Sequence, residues 1–113
     1  HQNSPNTCIL HTHPTELIAL SHKLFSIREA ELNDILWSIM PEVQFFIPKG
    51  IGLVPLLEPG SDELARVTQE KISLYDIILW QKHGCLATGE DMWSAFESLE
   101  LINKAAKIYL LSS

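Results

Sequence analysis

The chain has 113 residues, which suits one domain built around one hydrophobic core. Apolar residues make up 46% of it and charged residues 19%, a balance that excludes an intrinsically disordered chain. The formal net charge is −6 and the eight Lys and Arg residues are scattered, which argues against a nucleic-acid partner. Since no apolar run reaches the roughly 18 residues of a membrane span, we expect a cytoplasmic protein.

The first two helices and the first strand follow directly from spacing. Thr7–His13 alternates as a strand, so His11 and His13 lie on one face. Pro14 ends this strand and begins a helix that runs to Phe25. The segment 28–39 has a helical stripe of Leu and Ile, and Pro41 stops it because proline disfavours helix in the residue before it.

The middle of the chain contains shorter elements. Val43–Pro48 is rich in β-branched and aromatic residues, which predicts a strand. A second short apolar run follows from Ile51 to Leu57, and Pro59-Gly60 forms a turn. Ser61 is a suitable N-cap, so we expect a helix from there through Ser73, with acidic residues at its positive end.

The last third begins with a buried strand. Asp76–Trp80 is nearly continuous in apolar residues, as in strands covered on both faces, and Cys85–Gly89 is a candidate hairpin partner. Cys8 and Cys85 lie in apolar runs, where a free thiol packs as a small hydrophobe, so we expect both to be reduced. Glu90–Leu111 is predicted as a long amphipathic helix whose buried stripe is Met92, Phe96, Leu99, Ile102, Ala106 and Tyr109.

Three histidines carry the candidate chemistry. Side chains at i and i+2 of a strand stand on one face about 7 Å apart at their α-carbons, so His11 and His13 can converge on one ion. His83 follows the buried strand and precedes Gly84, where a loop can turn a third imidazole toward the pair. Three imidazoles suit zinc and leave a fourth position open for substrate or water, as in catalytic sites.

Other interpretations stay open at this point. A His-x-His pair also occurs in cupins and amidohydrolases, although the helices disfavour the former and the short chain the latter. Glu42 stands at an element boundary, but composition alone makes it a solvated surface group. Trp37, Trp80 and Trp93 are interpreted as core or subunit-contact residues, and Lys49 is a weak candidate for binding phosphate.

Four segments together resemble one family. They are HTHPTELIAL, ILWSIMPE, FFIPKGIGLVPLLEPGSDELA and IILWQKHGCLATGED, followed by a long helix. The chain is similar to the class II aldolase/adducin family, and within it to the branch that cleaves rhamnulose 1-phosphate. The resemblance implies an α/β layered fold with a central, mostly antiparallel sheet flanked by helices. It also implies that residues 1–113 are the C-terminal zinc-binding part of one such domain, lacking its N-terminal part.

The resemblance assigns roles to individual residues. His11, His13 and His83 match the zinc ligands, and Glu42, which keeps its spacing from Trp37, matches a proton-transfer residue at the aldehyde oxygen. The implied substrate is a phosphorylated ketose, cleaved to dihydroxyacetone phosphate and lactaldehyde, and the implied assembly is a homotetramer. The family's phosphate-binding loops and principal base lie upstream of the His-x-His pair, so we expect this chain alone to be inactive.

Two alternatives within the family follow from the same residues. One is a related aldolase or epimerase that acts on another sugar phosphate. The other is an assembly module without catalysis, like the adducin head domain, which the intact histidine set disfavours.

Overall fold

The computed structural model describes residues 8–56 and 60–112. Its strands are β1 (Cys8–Thr12), β2 (Gly52–Val54), β3 (Ile77–Trp80) and β4 (Gly84–Gly89). They form one sheet in the order β1-β4-β3-β2. The pairs β1–β4 and β3–β4 are antiparallel, whereas β2–β3 is parallel. The predicted mostly antiparallel sheet and the β3–β4 hairpin are therefore confirmed.

Helices cover both faces of this sheet. They are α1 (Thr15–Lys23), α2 (Glu29–Ile39), α3 (Pro41–Phe46), α4 (Asp62–Ile72) and α5 (Met92–Ser112). The larger core joins one sheet face to α1, α2, α3 and α5, and it includes Leu17, Leu36, Val43, Leu79, Cys85 and Ile102. The smaller core joins α4 to the other face through Val54, Ile78 and Leu86. The α/β layered fold that the sequence predicted is confirmed.

The helix at Ser61 begins as its capping signal predicts. The Ser61 hydroxyl accepts a hydrogen bond from the backbone N–H of Leu64 at 3.1 Å, which satisfies one of the free donors of the first turn. Asp62 and Glu63 occupy that turn, where negative charge interacts favourably with the helix dipole.

The strand predicted over Val43–Pro48 is wrong, because this segment forms helix α3 and its C-cap. Pro41 occupies the first turn of that helix, where its missing N–H costs nothing, and the Ile47 N–H donates to the Val43 carbonyl at 2.8 Å. The aromatic residues that suggested a strand are not in the core. Phe45 is 78% exposed and Phe46 is 66% exposed.

The predicted buried stripe of α5 is wrong over its first turns. Met92 and Phe96 are exposed, and the buried positions are Ala95, Leu99, Ile102, Ala105 and Ala106. Small residues lie inward because the helix approaches the sheet closely. A Cβ atom on Gly89 would lie only 2.8 Å from the Ala95 nitrogen.

Smaller differences concern element ends. Helix α1 ends at Lys23, so Phe25 lies beyond it, with a half-exposed ring. Cys8 and Cys85 are free thiols, as expected. Thr7, Leu57 and Pro59, which the predicted first strand, apolar run and turn included, lie outside the described residues. Within those residues, none of the helices has the length and apolar character needed to cross a bilayer.

Candidate metal centre

Strand β1 places His11 opposite Leu86, on the face of the sheet that carries the smaller core. Cys8, Leu10 and Thr12 are half-buried, whereas Ile9 and His11 are exposed, so the alternation predicted from sequence is confirmed. His13 follows the last residue of β1 and is also exposed. Pro14 comes next and starts the turn into α1.

The turn between β3 and β4 supplies the third histidine. The His83 N–H donates to the Trp80 carbonyl at 2.9 Å, and Lys82 has a positive φ of 64°, which non-glycine residues seldom adopt. The pairing of Thr12 with Cys85 brings the end of β1 beside the start of β4. This register is why residues 70 positions apart in sequence meet at one place.

The three imidazoles converge closely enough to share an ion. One nitrogen from each of His11, His13 and His83 lies within 4.8 Å of the other two. Bonds of 2.0–2.1 Å to a tetrahedral zinc would hold the nitrogens about 3.4 Å apart. Side-chain rotations that move the nitrogen atoms by about 1.5 Å or less are enough to close that difference. All three rings are exposed, so they have room to rotate. The residues therefore fit a zinc ion.

Gly84 makes room for His13. A Cβ atom at this position would lie 2.7 Å from Cδ2 of His13 and 3.0 Å from the Thr12 carbonyl oxygen. Both distances are shorter than ordinary van der Waals contact. A side chain at position 84 would therefore displace the imidazole of His13, and glycine allows its close approach.

The local electrostatics favour the uncharged form of His11. Burial lowers its pKa from the ordinary 6.5, and the neighbouring His13 and His83 lower it further, because two imidazolium ions would repel each other. Neutral imidazole is the form that binds metals. The surroundings of His11 therefore favour the form of this side chain that binds a metal.

Trp80 is a site residue that the sequence interpretation missed. Its ring lies edge-on to His11 at 5.1 Å between centroids and to His83 at 5.8 Å. The indole N–H donates to the Thr68 hydroxyl of α4 at 2.9 Å, which fixes the ring. Trp80 is therefore a wall of the site as well as a core residue. Its position three residues before His83 was the available signal.

Glu42 is not part of the histidine cluster. It lies exposed in the first turn of α3, and among the described residues no carboxylate belongs to the group of converging ligand atoms. Its role in proton transfer stays a prediction. Lys49 lies 3.9 Å from Asp76 in an exposed ion pair. Asp76 precedes β3, so Lys49 is at the opposite end of that strand from His83.

The other two tryptophans differ in exposure. The half-buried Trp37 packs on the larger core, and its indole N–H donates to the Ile47 carbonyl at 3.2 Å. Trp93 is 65% exposed and lies 6.1 Å from the Phe96 ring.

Three converging imidazoles at the end of β1 and at the β3–β4 turn of an open α/β sheet form a candidate metal-binding site. Comparison with known proteins identifies its family. Residues 1–110 match the model described as the class II aldolase and adducin N-terminal domain, so the chain belongs to that family. That the chain is the C-terminal part of a class II aldolase domain stays a prediction.

Similar proteins include several named as aldolases. Rhamnulose-1-phosphate aldolase of Bacteroides thetaiotaomicron is 39% identical over 96% of this chain, and that of Enterococcus faecalis is 34% identical over 92%. A crystal structure of a sugar-phosphate aldolase from Thermotoga maritima is 41% identical, with a TM-score of 0.77 over 94% of this chain. The chain spans 40%, 37% and 45% of these three proteins, respectively.

Proposed function

We propose that this chain holds the metal centre of a zinc-dependent aldolase that cleaves rhamnulose 1-phosphate to dihydroxyacetone phosphate and lactaldehyde. The observation that carries the proposal is the convergence of His11, His13 and His83 in a chain of the class II aldolase family. Relatives that are named for this substrate support the choice of sugar phosphate.

The donor set favours zinc. Three neutral imidazoles with an open fourth position are a common catalytic zinc arrangement, whereas manganese and magnesium prefer oxygen ligands. When bound, such an ion supplies a Lewis acid for the oxygens of a ketose phosphate. The chain's own contribution is to hold the three imidazoles close together and oriented.

The surroundings of His83 offer space for a small substrate. A cavity of about 320 Å³ is lined by Leu64, Trp80, Gln81, Lys82 and His83, together with neighbouring residues of the β2–α4 connection. Pockets for small molecules start near this volume, at roughly 300 Å³. Leu64 and Trp80 give the cavity an apolar wall, which limits the access of water on that side.

We further propose that Glu42 transfers a proton at the aldehyde oxygen, as the match to the family pattern implies. Glu42→Gln keeps the size of the side chain and removes its basicity, so kcat is expected to fall about 10² to 10⁴-fold. Metal content should not change. Glu63→Gln is the matched control, since Glu63 is also an exposed first-turn glutamate. Equal activity of the two variants would refute this role.

The direct test of the proposed activity uses the full-length protein that contains this chain. Release of dihydroxyacetone phosphate from rhamnulose 1-phosphate should be measured with and without a chelator, alongside metal analysis. We expect chelator-sensitive release and about one zinc per chain. Preference for ribulose or fuculose phosphate would change the named substrate, and bound zinc without turnover on any of them would indicate an assembly module.

We also propose a homotetramer in the cytoplasm, with the exposed Trp93 and Phe96 in subunit contacts. Light scattering of the full-length protein tests this assembly. A monomer at micromolar concentration would contradict it.

A further inference from the structure

The turn that carries His83 is fastened to the end of helix α1 by a buried serine. Ser21 is 4% exposed. Its hydroxyl donates to the Ile18 carbonyl at 2.7 Å and accepts the backbone N–H of Lys82 at 3.0 Å. One side chain therefore links two segments that are 61 residues apart in sequence.

The fastened turn has a backbone that needs support. Lys82 has a φ of 64°, in the left-handed region that residues with a side chain seldom adopt. Such conformations persist only where the surrounding structure determines them. The hydrogen bond from the Lys82 N–H to Ser21 is one such determinant, and His83 is the next residue.

Gln81 adds a second attachment to the same segment. It is 5% exposed, and its side-chain amide donates to the Phe25 carbonyl at 2.6 Å. Its backbone N–H donates to the Val54 carbonyl at 3.0 Å. Gln81 and Lys82, the two residues that precede His83, are therefore both hydrogen-bonded to the segment 21–25 at the end of α1.

Helix α1 is also connected to the other ligand strand. It begins at Thr15, two residues after His13, and Leu17 and Leu20 are fully buried in the larger core. Ser21 lies six residues after Thr15, which corresponds to about 9 Å of helix. A rigid helix thus runs from beside His13 to the turn that bears His83.

We propose that Ser21 is a positioning residue for the metal centre, which acts through the Lys82 N–H to set where His83 stands relative to His11 and His13. The inference rests on the proposed metal site. Groups that orient a metal ligand without touching the ion typically change metal affinity 10 to 100-fold when they are removed.

The chain contains a matched control for the helical part of this arrangement. The Ser38 hydroxyl donates to the Ile35 carbonyl at 2.8 Å, which is the same bond to the residue three positions earlier. Within residues 8–56 and 60–112, the Ser38 side chain makes no hydrogen bond to a segment distant in sequence, unlike the bond between Ser21 and Lys82. Comparing Ser21→Ala with Ser38→Ala therefore isolates the bond to the turn.

The experiment measures zinc affinity by competition with a chromogenic chelator, and the stability of the metal-free protein by denaturant unfolding. We expect Ser21→Ala to raise the zinc Kd about tenfold or more, and Ser38→Ala to leave it unchanged. Backbone hydrogen exchange at Lys82 should be faster in Ser21→Ala alone. Ser21→Cys, which keeps the size and has only a weak acceptor, should also bind zinc more weakly than the original protein.

Two outcomes would overturn the inference. If Ser21→Ala and Ser21→Cys lower the stability of the metal-free protein but bind zinc with the original Kd, Ser21 is structural only. If the original protein binds neither zinc nor cobalt, the metal site and the inference both fail. By contrast, normal zinc binding that depends on Ser21 without aldolase activity would refute the proposed function and leave the positioning role intact.

Discussion

Replacing Gly84 with alanine puts a methyl group where His13 and Thr12 already lie. The new Cβ would be 2.7 Å from the imidazole Cδ2, whereas ordinary contact begins at 3.4 Å, so the ring must move by about 0.7 Å or β1 must shift. The Thr12 carbonyl at 3.0 Å blocks an easy backbone adjustment. Overpacking of this kind costs about 1–3 kcal/mol.

The control for this substitution is at the other end of the same strand. Gly89→Ala also creates a clash, 2.8 Å from the Ala95 nitrogen, but far along β4 from the histidines. Denaturant unfolding of the metal-free protein should show that both variants are destabilised. Zinc competition should show a Kd raised about 10 to 100-fold for Gly84→Ala only. Equal zinc affinity of the two variants would refute the idea that Gly84 makes room for His13.

Two further predictions concern the half-buried carboxyl group of Glu29 and the buried thiol of Cys85. Burial alone would raise the pKa of Glu29, but hydrogen bonds from Lys71, the Leu53 N–H and Tyr75 outweigh it and lower the pKa below 4.5. The stability that ionised Glu29 contributes to the fold is therefore present above its pKa in the unfolded chain. This contribution is lost as the pH falls through its lower pKa in the folded protein. Glu29→Gln should cost about 1–3 kcal/mol at pH 7 in urea unfolding and flatten the acid limb of the stability profile. An unchanged acid limb would contradict this. Burial raises the pKa of Cys85 to about 12, so iodoacetamide at pH 8 should label Cys85 only after unfolding. Rapid labelling of Cys85 in the native protein would contradict its buried position.

The parts of the fold that sequence predicted correctly depend on local signals. The alternation of side chains along a strand placed His11 and His13 on one face, and the capping residue Ser61 was sufficient to place the start of α4. The continuous apolar run before His83 marked a strand covered on both faces, as Ile77, Ile78 and Leu79 are. Each of these features is determined by residues within one turn or one strand.

The wrong predictions of secondary structure and burial fall where large apolar side chains are exposed in the structure. Phe45 and Phe46 suggested a strand, but they are exposed on a short helix that Pro41 starts. In the same way, Met92 and Phe96 suggested the buried face of α5, whereas the close approach to Gly89 selects Ala95. Apolar side chains are informative about burial only when the packing partner is known.

The missed site residues depend on contacts that are distant in sequence. Trp80 orients its ring toward His11 because of the sheet register and the bond to Thr68, and neither is visible from spacing. Ser21 bonds to Lys82 across 61 residues, so nothing in its neighbourhood distinguishes it from Ser38. The convergence of His11, His13 and His83 was predictable from the sequence, but the contacts of Trp80 and Ser21 beside them were not.

We propose that His11, His13 and His83 bind one ion together. X-ray absorption at the zinc edge of the zinc-loaded full-length protein tests it most directly, with the His83→Ala variant alongside. We predict three imidazole ligands at about 2.0–2.1 Å with one further light atom, and the loss of one imidazole in the variant. The same imidazole count in both proteins would show that the zinc is bound elsewhere and would contradict the account.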